Sequence, residues 1–127
     1  MLRLNLMKIS KKEIEALEKS PIFLATSSKD RPNVTITESG VVTEGKLLIC
    51  DCAMSLAKEN ILKNSHVSFV SSRKFDQDRY ECYKGFGKAQ YYKNGKYFDL
   101  AKKRLRGEPY KPKGAVVIEI EKLFKVE

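Results

Sequence analysis

Between Arg31 and Asn60 the chain reads RPNVTITESGVVTEGKLLICDCAMSLAKEN, and this stretch gathers most of the side chains that could do chemistry. Thr35, Thr37, Ser55 and Lys58 flank a polar loop that leads into a helix start. Hydroxyl and ammonium donors of that kind can cradle a phosphorylated ligand, because the first amides of a helix and its dipole attract anions. Two residues work against this. Leu56 and Ala57 are apolar where a cation and a hydroxyl would serve a phosphate best.

Other chemistries find less support. Cys50 and Cys52 form a C-x-C, with His66 a short way on. Zinc centres draw about four ligands from paired clusters, and no second cluster accompanies this one, so no metal site is assigned. Cys50 is expected to pack inside the fold, and Cys52 to lie near any ligand. His66 is the only histidine, and it begins a strand just after a helix end, which favours a surface or capping role over acid–base catalysis. No Ser-His-Asp or Cys-His set is recognisable, so no catalytic residue is assigned.

The elements that must position these residues can be read from pattern. Ser10 and Glu13 make a capping box, Ile14 and Leu17 share a helical face, and Pro21 ends that helix. Strands then dominate: Ile22 to Thr26, Asn33 to Thr37, and a hairpin of Val41–Thr43 and Lys46–Cys50 about Glu44-Gly45. On the second of these, Asn33, Thr35 and Thr37 share one face, and Val34 and Ile36 the other. Ser55 is placed to cap a helix through Lys63, with Asn64 closing it in a left-handed turn.

His66 to Ser71 alternates, RKFDQDRY reads as a polar loop, and Cys82 to Tyr92 is a long strand with Gly85, Gly87 and Ala89 on one face. Small residues there signal close backbone approach or a bulge. Asn94 is placed to cap a helix carrying Phe98, Ala101 and Leu105. Ala115 to Ile120 closes the chain, with Leu123 to Val126 as an extension. Six or seven strands with no βαβ rhythm imply a mainly β, antiparallel barrel, the economical way to hide so many edges.

Composition sets the outer limits. The 127 residues fit a single domain, and 42% hydrophobic with 32% charged residues suits a globular chain. No apolar run approaches the ~20 residues of a membrane span. The apolar N-terminal positions are interrupted by Arg3, Asn5 and Lys8, unlike a secretory signal. Three cysteines without framework spacing suggest reduced thiols in the cytoplasm. The net charge of +9 is concentrated between Lys84 and Lys113, where ten Lys or Arg face two acids. Tyr80, Tyr83, Phe86, Tyr91, Tyr92 and Tyr97 fall in or beside that segment, a look shared with single-strand nucleic-acid binders. No recognisable RNA or DNA motif accompanies it, which argues against nucleic acid.

Four segments together resemble the pyridoxamine 5'-phosphate oxidase-like FMN-binding split barrels. FLATSSKDRPNVT resembles that family's opening strand, turn and second strand, and GKLLICDCAMSLAKENILKNSHVSFV its strand, loop, helix and N-x-x-x-N-x-x-V run. YKGFGKAQYYKNGKYFD is similar to the strand with a small G-x-A step and the helix after it, and GAVVIEIEKLFKV to the closing strands.

The resemblance implies a six-stranded antiparallel Greek-key barrel that forms a homodimer with FMN at the interface. By position, Thr35 and Thr37 would line the flavin, and Asp51, Cys52, Ala53 and Met54 would run beside its ring and ribityl chain. Ser55 and the following helix N-terminus would face the phosphate. Asp51 serves equally well as a ring contact or as a strand-end residue capping the loop.

Many relatives carry Lys-Thr where this chain has Leu56-Ala57. Lys58 is next along, but points about 100° away from Ala57 on a helix. Lys111 or Lys113, from a loop that approaches the partner's flavin in relatives, could supply the missing cation; the alternative is a solvated basic loop. The expected activity is FMN-dependent oxidoreduction of a small molecule, with the flavin doing the chemistry. The alternatives are a non-catalytic flavin or haem module, or a cofactor-free barrel holding nucleic acid through Lys84–Lys113.

Overall fold

A computed structural model describes residues 8–126; the interruptions at Arg3 and Asn5 fall outside them. Helix α1 (Lys11–Lys19) opens on the capping box, with Glu13 N–H donating to Ser10 Oγ at 3.2 Å and Ser10 N–H donating to Glu13 Oε1 at 2.9 Å. Ala16 and Leu17 on its inner face are buried.

Among the described residues, seven strands make one antiparallel sheet. They are β1 (Ile22–Ser28), β2 (Arg31–Thr37), β3 (Val41–Thr43), β4 (Lys46–Asp51), β5 (His66–Asp76), β6 (Arg79–Tyr92) and β7 (Gly114–Val126). Their order is β2-β1-β5-β6-β7-β4-β3. The count is seven where the resemblance implied six, and the expected hairpin strand β3 is the shortest at three residues. Helix α2 (Ser55–Lys63) carries the chain from β4 to β5, and α3 (Lys96–Arg104) from β6 to β7. The meander β5-β6-β7 with β4 returning beside β7 is a Greek key read from its far end.

The sheet curls around one core. Ile22 and Leu24 of β1, Leu47 and Ile49 of β4, Val67 and Phe69 of β5, and Val116 and Ile118 of β7 pack in a single cluster with Leu17 of α1 and Ile61 of α2. A second, smaller cluster lies outside: Tyr97, Leu100 and Ala101 of α3 cover Leu48 and Val117. β7 is therefore buried on both faces from Gly114 to Ile118.

The small-residue face of β6 does what its pattern implied. Gly85 stands opposite Phe69, and a Cβ on it would collide with that ring. Gly87 lies against the backbone of Glu119, beside a bulge in which the β6–β7 register shifts between Phe86 and Gly87.

Several local expectations are corrected. Met54, not Ser55, is the N-cap of α2, and no side chain caps its amides. Asn64 is extended at φ −146° rather than left-handed. Gly95, at φ 90°, precedes α3 in place of an Asn94 cap. RKFDQDRY is not a loop but the end of β5, a tight turn and the start of β6. Its charges are tolerated there because Arg73 pairs across the ladder with Glu81 at 3.6 Å and reaches Glu15 on α1 at 3.0 Å. Cys50 packs on the outer layer against α3, its thiol donating to the Ala101 carbonyl at 3.8 Å, and not inside the barrel.

The N-x-x-x-N run has a physical role. Asn60 and Asn64, one turn apart on α2, both reach β1: Asn60 Nδ2 donates to Thr26 Oγ1 at 3.0 Å and Asn64 Nδ2 to Ser27 Oγ at 3.3 Å. Asn60 and Thr26 are buried. Asn60→Ala would strand the Thr26 hydroxyl away from water, a loss of about 1–2 kcal/mol. Chemical denaturation is expected to show that drop, with Asn64→Ala costing less because its bond is partly exposed.

Candidate functional site

A cleft of about 640 Å³ opens where β2, the loop after β4 and the end of α3 meet. Its inner wall is formed by Thr35, Ile36 and Thr37 on β2 with Cys52, Ala53 and Met54 on the loop. Its outer end is formed by Glu38, Ser39, Arg104, Leu105, Glu108 and Tyr110. β2 presents its threonines to the cleft because its alternation leaves them half-buried; Val34 and Ile36 stand 65% and 60% exposed on the opposite face, and Ile36 still borders the cleft.

The loop is held from beneath by Asp51. This side chain is 2% exposed and accepts from Met54 N–H at 2.8 Å and from the Tyr91 hydroxyl in a short hydrogen bond. The Asp51 carbonyl also accepts from Lys113 N–H at 2.6 Å. Strand end, helix start and the loop before β7 are thus tied to one residue. Lys58 lies over the Tyr91 ring, its Nζ 5.0 Å from the centroid, so the first turn of α2 joins the same assembly.

Of the residues singled out from sequence, Thr35, Thr37, Cys52, Ala53 and Met54 meet in the cleft. Asp51 lies under its floor, Ser55 is the exposed first residue of α2, and Lys58 rests on Tyr91. Lys111 is exposed on the loop that Lys113 anchors to Asp51 of its own chain. Leu56 is 47% exposed and Ala57 only 1%, so a hydroxyl at position 57 would point into the core. Tyr91, Arg104 and Tyr110 were missed. Each meets the site through contacts distant in sequence, and no local pattern marks them.

The thiols are poor nucleophiles. Burial pushes Cys50 up to about 11, with Cys52 beside it adding to the rise. Burial also raises Cys52, reinforced by Asp51 and opposed by Lys113. Burial first, and then the bond to Asp51, hold the Tyr91 phenol well above its usual value near 10. A raised folded-state value stabilises the fold fully below the unfolded value and is lost as pH climbs past it. The melting temperature is therefore expected to fall more steeply above about pH 10 in the parent than in Tyr91→Phe. Some slope should survive, since Tyr83 and Tyr110 are raised as well.

The fold is an antiparallel split barrel whose cleft lies between the second strand and the loop after the fourth. Solved structures agree. HupZ of Group A Streptococcus superposes with a TM-score of 0.82 at 21% identity, covering 94% of each chain. An FMN-binding protein from Syntrophomonas wolfei gives 0.76 at 18%, covering 90% of this chain and 81% of that one. A candidate pyridoxamine 5'-phosphate oxidase from Lactobacillus delbrueckii gives 0.71 at 24%, covering 98% and 99%. No family model matches. The chain belongs to the family of the uncharacterized protein MJ0282 of Methanocaldococcus jannaschii, to which it is 34% identical over 130 residues, 97% of this chain and 84% of that protein.

Proposed function

We propose that the protein binds FMN in this cleft and uses it as an oxidoreductase on a small molecule. The observation that carries the reading is the convergence of Thr35, Thr37, Cys52, Ala53 and Met54 on one cleft beside the uncapped start of α2. The residues present suit the group. About 640 Å³ falls within the range of small-molecule sites, the walls mix hydroxyls with apolar surface, and the first amides of α2 carry no side-chain cap. Bound there, the flavin would supply hydride and electron transfer; the chain supplies position and electrostatics. Similarity to structures described as FMN-binding supports the same assignment.

The functional unit is a homodimer in this reading. Phe23, Val34, Ile36 and Phe86 are exposed on the outer faces of β1, β2 and β6, with Phe23 opposite Ile36 and Val34 opposite Ala25. Ile36 also lines the cleft, so a second copy on that face would reach the ligand. With Cys50, Cys52 and Cys82 as free thiols, a reducing, cytoplasmic compartment suits the protein.

The nucleic-acid alternative loses part of its stacking surface: Tyr83 and Tyr97 are buried and Tyr97 packs on Tyr92 with ring centroids 5.1 Å apart, which leaves Tyr80 and Phe86 as the exposed rings. Freshly purified protein should be yellow, bleach with dithionite, turn over a nicotinamide donor and sediment as a dimer. Colourless protein that takes up no flavin yet binds an oligonucleotide with steep salt dependence would overturn the reading.

A further inference from the structure

The outer end of the cleft has a chemistry that neither the resemblance nor the flavin reading assigns. Arg104, in the last turn of α3, lines it together with Ser39, Tyr110, Glu38 and Glu108. The Arg104 Nη2 donates to Ser39 Oγ at 2.7 Å and to the Glu18 carbonyl at 3.5 Å. Both acceptors are neutral. They fix the direction of the guanidinium without cancelling its charge, and they leave its Nε and Nη1 donors open among the described residues.

Two of the basic residues nearby are paired, while Lys103 and Arg106 make no ion pair among the described residues and lie outside the cleft lining. Lys96 pairs with Glu44 at 2.9 Å and Lys102 with Asp99 at 3.5 Å, whereas no carboxylate lies within ion-pair distance of Arg104 among the described residues. The acids at this end are engaged elsewhere: the Tyr110 hydroxyl donates to Glu38 Oε2 at 3.1 Å, and that bond, with Glu108 adding to it, holds the phenol protonated. A guanidinium that is oriented, unpaired and at the mouth of a cleft is suited to an anion, which its open Nη1 or Nε hydrogens meet with a charge-assisted hydrogen bond.

We propose that Arg104 forms an anion-recognition subsite, and that the substrate meeting the cofactor in this cleft carries a carboxylate or phosphate group seated on it. The assignment rests on the flavin reading for its setting. Arg104 itself is a binding residue, separate from the inner wall formed by β2 and the loop after β4.

Titrating the FMN-loaded protein with sodium phosphate, and separately with sodium oxalate, at constant ionic strength tests this. The flavin absorbance of the parent should shift saturably with at least one of the two, and the better anion names the group. Arg104→Gln should weaken that response by roughly tenfold or more, and Arg104→Lys should restore part of it. Affinity for FMN and for riboflavin should be unchanged in both variants. An equal response in parent and Arg104→Gln, or no response in the parent, would overturn the proposal. So would a loss of FMN affinity without loss of riboflavin affinity, which would make Arg104 the cofactor's phosphate partner instead. If the protein takes up no flavin, the same titrations followed by tyrosine fluorescence still decide the anion subsite, so failure of the two readings can be told apart.

Discussion

Asp51→Ala is expected to destabilise the protein by about 3 kcal/mol and to abolish flavin uptake. The carboxylate is buried and serves two donors at once, Met54 N–H and the Tyr91 hydroxyl. Hydrogen bonds to an ionised acceptor contribute roughly 1.5–3 kcal/mol each, and the truncation also strands the donors. Relief of the carboxylate's own desolvation offsets part of this, which places the net loss at the lower end of the sum. A loss of that size would lower the melting temperature by roughly 10 °C.

The binding effect follows from the same contacts. Met54 is both the N-cap of α2 and part of the inner wall, so freeing it disorders the wall and the helix start together. Asp51→Asn keeps an acceptor for Met54 and should retain most of the stability. In a double-mutant cycle, Asp51→Ala combined with Tyr91→Phe should cost clearly less than the two single losses added, since both remove one interaction. Additive losses would show that the pair is not coupled.

Gly87→Val is expected to be the most damaging single change in the sheet, about 3 kcal/mol or more. A Cβ at Gly87 would overlap the carbonyl oxygen of Glu119 and come within 3.1 Å of Ile120 Cα. These are backbone atoms of β7 where it is paired with β6 and, at Glu119, with β4, so they cannot yield as a flexible side chain would. Gly107→Ala is the control. Gly107 has φ 90°, and nothing lies within 4 Å of where its Cβ would sit, so only backbone strain of about 1 kcal/mol is expected. Urea denaturation of the two variants should separate them clearly; equal losses would place the effect in glycine's backbone freedom rather than in the close approach.

These residues also show which parts of the molecule could be read from the chain. The capping box at Ser10, the hairpin at Glu44-Gly45 and the small face at Gly85, Gly87 and Ala89 depend on neighbours in sequence or on strict alternation, and they were legible. Glu44 and Gly45 take φ values of 53° and 74°, as a two-residue hairpin turn requires. The caps of α2 and α3 were not legible. Ser55 and Asn94 are good capping residues, but the N-cap of α2 falls at Met54, whose own N–H is held by the buried Asp51 carboxylate, and α3 is entered through a left-handed glycine.

The site divides along the same line. Thr35, Thr37 and the Cys52–Met54 loop are local to two strands that the pattern located. Tyr91 lies 40 positions from Asp51 and Arg104 lies 65 from Ser39. Only the curl of the sheet and the docking of α3 bring those pairs together. Packing accounts for half of the apparent flaw at Leu56-Ala57: position 57 faces the core, so its apolar side chain serves the helix rather than the ligand, whereas Leu56 is exposed and supplies no cation.

The central claim is that FMN occupies the cleft between β2 and the loop after β4. Ala53 is exposed, lines that cleft and makes no core contact, so Ala53→Trp fills the space without disturbing the fold. FMN fluorescence titrated with the parent protein should be quenched saturably at one flavin per chain, and Ala53→Trp should remove the quenching while leaving the melting temperature unchanged. Undiminished quenching in Ala53→Trp, or none in the parent, would contradict the assignment.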